Sequence, residues 1–256
     1  MTLSKDGKYI YCIIGTKQER NFGPMGLNGC EVLTIGYEDL AMVVSSHPLA
    51  KLVVNQENML AHAKVIEGVM KEFDGVLPVR YGTIASDADE IRNLLDRRRR
   101  EFKIALRDLD HKVELGVKGT WPDMDAIFKE VVNENKDIKE LKEKIQNDGD
   151  AKDIPAKMEA GKMVEAALQK KKTNEAEKIA ETLRRASVNH KLNKTSGDNM
   201  FMNAAFLVDK GREKEFDNIM DDLSEKRKKR MRFLYTGPLP AFNFVNIAIY
   251  PEAWEK

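Results

Sequence analysis

The chain has 256 residues, 42% of them hydrophobic and 33% charged, enough apolar material for one large core or two ordinary ones. Its 43 Lys and Arg against 42 Asp and Glu leave a net charge of +1, a balance that gives no long-range pull toward nucleic acid or an anionic membrane. Cys12 and Cys30 are too few for a disulfide framework and are expected as buried free thiols in a reducing cytosol. The N-terminus lacks a signal-peptide core, and no run reaches the roughly 18 apolar residues of a membrane helix, so a soluble cytoplasmic protein is expected.

Tyr9–Ile14 is a β-branched and aromatic run and is expected as a strand. A Gly- and Pro-containing loop follows. Cys30–Ile35 and Leu40–Ser45 are then spaced as a hairpin. Met59, His62, Ile66, Met70 and Phe73 recur at intervals of three and four. They predict a helix from about Gln56 to Phe73, capped by Asn55 and stopped by Asp74-Gly75. Val76–Val79 is extended, with Arg80-Tyr81-Gly82-Thr83 after it. A second helix, capped by Ser86, runs to about Leu109 on a stripe that includes Ile91, Leu94, Leu95, Phe102, Leu106 and Leu109. Arg97–Arg100 wrap around that helix, so most of them must face water or partner acids.

Val113–Lys118 alternates as a half-buried strand, and the domain boundary is placed just before it, near Asp110. From Asp123 to Asn193 charges of both signs interleave with Ala and Leu. This run predicts about three amphipathic helices, broken near Asn147–Asp150 and Lys172–Asn174. Strand character returns at Met200–Val208, followed by a helix from about Glu213 to Lys229 and a strand through Met231, Phe233 and Tyr235. Gly237, Pro238 and Pro240 make a stiff corner into a last strand, Phe242–Ile249. The expected class is α+β in two domains, 1–109 and 110–256. The second is a modified ferredoxin-like fold interrupted by a charged helical insertion at about 123–195.

Reactive chemistry is not legible. There is no dinucleotide or Walker loop, no GxSxG elbow, and no pair of histidines at helical zinc spacing. No catalytic, cofactor or metal residue is assigned. His62 is read as a core histidine, with a haem ligand as the alternative. Arg80 and Tyr81 belong either to a glycine turn or to a binding loop. Tyr235, Phe242 and Phe244 are either core or an exposed protein anchor. The basic runs Arg97–Arg100 and Lys226–Arg230 are solvated faces or docking surfaces for an acidic partner or RNA, and they lack interleaved aromatics for base stacking.

Several of these stretches resemble one family in the same order. Tyr9–Ile14, Leu40-Ala41-Met42-Val43-Val44-Ser45, Ala61-His62, Val76-Leu77-Pro78-Val79-Arg80-Tyr81-Gly82-Thr83 and Val113-Glu114-Leu115-Gly116-Val117-Lys118 are similar to segments of the gas vesicle accessory proteins GvpF and GvpL. Tyr235-Thr236-Gly237-Pro238-Leu239-Pro240-Ala241-Phe242-Asn243-Phe244-Val245 resembles their C-terminal signature. The charged helices lie outside the resemblance. It implies a non-enzymatic accessory or minor structural protein of the gas vesicle, a gas-filled protein shell, with two α+β domains. The implied partners are the hydrophobic shell protein GvpA and other accessory proteins. The expected binding residues are Tyr235, Thr236, Gly237, Pro238, Pro240, Phe242 and Phe244, with Arg80 and Tyr81. An exposed sheet edge that pairs with a shell strand is the other expected mode of capture. A haem- or small-ligand-binding ferredoxin-like enzyme is the alternative function.

Overall fold

The apolar run at the N-terminus forms β1 (Asp6–Ile14), the central strand of a six-stranded sheet. The computed structural model describes residues 6–50, 52–147, 154–245 and 249. β2 (Asn21–Gly23), β3 (Val32–Tyr37), β4 (Leu40–Pro48), β5 (Val76–Pro78) and β6 (Ile84–Ala85) complete the sheet. The order is β2-β3-β4-β1-β5, with β6 also pairing β1. β3 and β4 form the expected hairpin, Tyr37 pairing with Leu40.

A register shift between Ile10 and Cys12 decides which residues of β1 share a face. The extra residue of a bulge reverses the alternation of side chains, so Tyr9, Tyr11, Cys12 and Ile14 all join one core. That core includes Leu27, Val43, Val65, Ile66 and Val69. The helix α1 (Gln56–Val69) supplies the last three and packs on β1 and β5. Asn55 caps it as expected, its Oδ1 accepting from the Asn58 backbone N at 2.8 Å. The helix ends at Val69, short of the expected Phe73, and the chain turns from there.

The single helix expected to run to Leu109 is two. α2 (Ala88–Arg97) packs on β3, β4 and β6, and α3 (Arg99–Leu109) packs on β5. Arg98, at φ −109° and ψ 18°, separates them. One straight rod cannot lay Ile91–Leu95 and Phe102–Leu109 on strands so differently placed. Asp87, not Ser86, caps α2, accepting from the backbone N of Asp89 and Glu90 at 3.1 and 2.9 Å.

The remaining elements are β7 (Lys112–Thr120), α4 (Met124–Glu134), α5 (Lys136–Asn147), α6 (Ile154–Leu183), β8 (Asn189–Leu192), β9 (Met200–Asp209), α7 (Glu213–Arg227) and β10 (Arg232–Leu239). Their sheet has the order β10-β7-β9-β8. α6 crosses the break expected at Lys172–Asn174 without interruption. Lys172 is buried there and donates to the Gly197 carbonyl at 2.8 Å, while the Thr173 hydroxyl donates back to Gln169 O. Both polar side chains are therefore satisfied while the helix continues, Lys172 by a carbonyl outside it and Thr173 by one within it. β8 falls where helix was expected; its four residues, Asn-His-Lys-Leu, carry almost no strand signal. Of the strand expected at Phe242–Ile249, the described start is a turn, Phe242–Phe244, with Phe244 N donating to Ala241 O; 246–248 lie outside the described residues.

The helices α4 and α6 are tied together by ion pairs. Arg230 binds Glu130 and Glu175, each at 2.7 Å, and Glu175 also accepts from the Trp121 indole at 2.9 Å. Lys171 reaches Glu130 at 3.0 Å and Glu134 at 2.9 Å. These contacts hold Glu130 down to about pKa 2, the Arg230 hydrogen bond being the largest cause.

The chain forms two compact units. Among the described residues, the first comprises those from Asp6 through Glu114, Asp209–Gly211 and those from Pro238 on; the second comprises those within Leu115–Val208 and Arg212–Gly237. The return of the C-terminal segment to the first unit is a feature that a single cut near Asp110 does not include.

Candidate docking surface

His62 lies on α1, one turn after Met59, and faces the core at 3% exposure. Its Nε2–H donates to the Val79 carbonyl at 3.0 Å; a carbonyl can only accept, so this fixes the tautomer. Nδ1 is then the acceptor for the Tyr9 hydroxyl at 2.7 Å. Tyr9 Oη in turn accepts from Gly82 N at 3.2 Å. Burial pushes the His62 pKa down to about 4 and the Tyr9 hydroxyl up, so both are neutral near pH 7. Both ring nitrogens are engaged inside the protein, which leaves neither for an iron ligand. The core reading of His62 holds.

The same network fastens the turn after β5. Gly82 sits at φ +89°, where a side chain is disfavoured, and the Thr83 hydroxyl donates to Arg80 O at 2.8 Å. The Tyr81 ring meets His62 edge-on at 5.8 Å, and its hydroxyl donates to Val53 O at 2.8 Å. Arg80 is exposed and Tyr81 half-buried.

A second clamp brings in the C-terminal segment. Buried Glu114 accepts from Asn243 N at 2.9 Å and from its Nδ2 at 2.6 Å. The turn it holds carries Phe242, whose ring centre is 6.1 Å from that of His62. Motifs 180 residues apart in the chain, at His62 and Phe242, thus meet in one unit.

Apolar side chains that the core does not use lie at and just before the start of α1 and on the Phe242 turn. Val53 and Val54 are 71% and 73% exposed, Met59 49%, Leu60 51% and Phe242 41%. The helical periodicity places Met59 in the core stripe and does not single out Val53, Val54 or Leu60. The available signal is an apolar pair just before the N-cap and a Met-Leu step on a helix whose buried face is already complete.

The other expected binding residues are placed separately. Tyr235 belongs to the second unit, its ring stacked on Phe216 at 5.8 Å and its hydroxyl donating to Asp217 at 2.6 Å. Burial, then Asp217, raises its pKa. Thr236 and Gly237 are exposed on β10, an edge strand, and Gly237 has φ 153°. Pro238 is exposed on the same edge, where a missing donor costs no ladder bond. Pro240 is buried and Phe244 half-buried. Tyr235 and Phe242 therefore fall in different units rather than on one corner.

Among the described residues no group of three or more His, Cys, Asp or Glu is arranged to hold a metal ion, and no helix is long and apolar enough to cross a membrane.

The family described as gas vesicle synthesis protein GvpL/GvpF matches residues 7–246. The chain is 27% identical over 247 residues to gas vesicle protein F1 of Halobacterium salinarum, covering 95% of each chain. It is 30% identical over 206 residues to gas vesicle protein F of a Streptomyces species, covering 80% of this chain and 84% of the relative. The crystal structure of GvpF from an Anabaena species superposes with a TM-score of 0.81 at 21% identity, over 95% of this chain and 100% of that one. That of Microcystis aeruginosa GvpF gives 0.78 at 19%, over 93% and 98%. At these identities the structural likeness shows a shared mixed helix-and-sheet fold.

Proposed function

The chain belongs to the GvpL/GvpF family and has a gas-vesicle-related role; on that premise we propose that it is a non-enzymatic accessory protein of vesicle formation in the cytoplasm, binding the hydrophobic shell protein GvpA and other accessory proteins. The observation that carries this reading is the set of exposed apolar residues Val53, Val54, Met59 and Leu60 at and just before the start of α1, together with exposed Phe242, whose ring meets that of His62. A shell subunit with a large apolar face aggregates unless that face is covered, and a carrier serves best when its own apolar patch is pre-organised. Tyr81 is joined to the segment before α1 through Val53 O, and exposed Arg80 precedes it in the same turn. We further propose two domains, the second ferredoxin-like with α4–α6 as its insertion; the order β10-β7-β9-β8 supports that reading.

Each of these apolar side chains, already partly covered, contributes about 1–2 kcal/mol when a partner buries the rest. Val53→Asp/Leu60→Asp is therefore expected to weaken capture of purified GvpA at least about tenfold, while the far-ultraviolet circular dichroism and thermal midpoint stay as in wild type. Undiminished capture by the folded variant sinks the assignment of this surface. A Tyr235→Ala variant tests β10 as an additional anchor, and equal capture by it confines the anchor to the first unit.

A further inference from the structure

The arginine run of α2 and α3 plays no part in the apolar patch, and its geometry points to a second surface. Within α3, Arg100, Lys103, Ile104 and Arg107 stand at i, i+3, i+4 and i+7, the spacing of a single helix face. The opposite face is the buried one, through Phe102, Leu106 and Leu109. The outward face borders an open groove of about 800 Å³ that also reaches the end of α2. Arg97, Arg99, Arg100, Lys103 and Arg107 line it against one carboxylate, Asp96, and Asp96 is itself hydrogen-bonded to Tyr37.

Internal pairing leaves charge over on the α3 part of this face. Arg99 and Lys103 share the single carboxylate of Asp39, at 2.7 and 2.6 Å, with Glu38 a further 3.8 Å contact for Arg99. Arg98 is paired with Glu101 at 2.7 Å. Arg107 meets Asp108 at 3.5 Å, both well exposed. Among the described residues Arg100 forms no ion pair. The groove has an apolar centre as well: Ile104 is 42% exposed and has cations on either side.

We propose that this face docks an acidic amphipathic segment of a protein partner, with carboxylates on the arginines and an apolar side chain on Ile104. Arginine forks suit carboxylates in a bidentate geometry, and an aliphatic residue at the centre of a charged ring fits an apolar anchor with a polar rim. RNA fits less well, since the lining offers no aromatic ring for a base to stack on. This surface is independent of the shell-binding reading, and Val53→Asp/Leu60→Asp leaves it intact.

The test uses fluorescence anisotropy on the full chain. The probe is a labelled helical peptide of about 14 residues, roughly four turns, with glutamates flanking a leucine seam. Its controls are the same peptide with Lys for Glu and a single-stranded oligonucleotide. Wild type is expected to bind the acidic peptide, more weakly as salt rises. Arg100→Glu/Arg107→Glu is expected to bind it at least about tenfold more weakly. Lys170→Glu/Lys214→Glu, which makes the same change in net charge elsewhere, binds as wild type. Ile104→Ala lowers affinity without changing its salt dependence. The proposal is overturned if the acidic peptide binds no better than the lysine peptide, if both charge-reversal variants lose affinity equally, or if the oligonucleotide binds more tightly and is the ligand that the Arg100/Arg107 change releases.

Discussion

Burial governs what His62 contributes. In the folded chain it is neutral, donating to Val79 O and accepting from Tyr9, with a pKa near 4; unfolded, it titrates near 6.5. As pH falls below 6.5 the unfolded chain takes up the proton first. Its contribution is thus fully present above pH 6.5 and is lost progressively down to about pH 4. The loss is on the order of 3 kcal/mol if the whole shift is expressed. Denaturant melts at pH 7 and pH 4.5 are expected to show a steeper loss for wild type than for His62→Gln, which cannot titrate; equal slopes would remove His62 from the account. Asn243 is the second residue that fixes the site. Asn243→Asp sets a like charge against buried Glu114, and it is expected to cost more than Asn243→Ala. The expected penalties are about 3 and about 2 kcal/mol, read from unfolding midpoints. The sequence marks His62 as core by its place in a helical stripe. It cannot mark Glu114 and Asn243 as partners, because a carboxylate in one strand and an amide 129 residues later share no local pattern.

Among the elements, those with strong local patterns are legible. The hairpin β3–β4, the capped start of α1, β7 and β9 follow from alternation, capping and apolar runs. The errors have physical causes. The expected long helix is split at Arg98 because its two stripes serve different strands, and α6 continues past Lys172 because a buried lysine and a threonine both find carbonyl acceptors. β8 is invisible in sequence because Asn189–Leu192 is a mostly exposed edge held by its pairing with β9 rather than by composition. The charged helices read as solvated faces. Part of that charge instead forms the Arg230–Glu130–Glu175 junction, with Trp121 on Glu175. Arg230→Ala leaves the two carboxylates without their shared cation. The expected destabilisation is about 1–2 kcal/mol, moderated by partial exposure, and is seen as a lower thermal midpoint. No change in the midpoint would mean that apolar packing alone holds α4 and α6.

At the scale of the whole chain, the order of motifs is enough to identify the family, while the surface that the proposal rests on is not legible. Exposure of Val53, Val54, Met59 and Leu60 depends on what α1 already buries through His62, Val65, Ile66 and Val69. Only the folded unit shows that the core is complete without them. Likewise, the Thr-Gly-Pro segment reads as one corner in sequence, yet Tyr235 and Phe242 belong to different units. The most direct test of the account is hydrogen–deuterium exchange on the intact protein with and without GvpA. Slowed exchange is expected at residues 52–60 and 240–245, with little change on α6. Protection confined to other segments, with 52–60 exchanging as in the free chain, would contradict it.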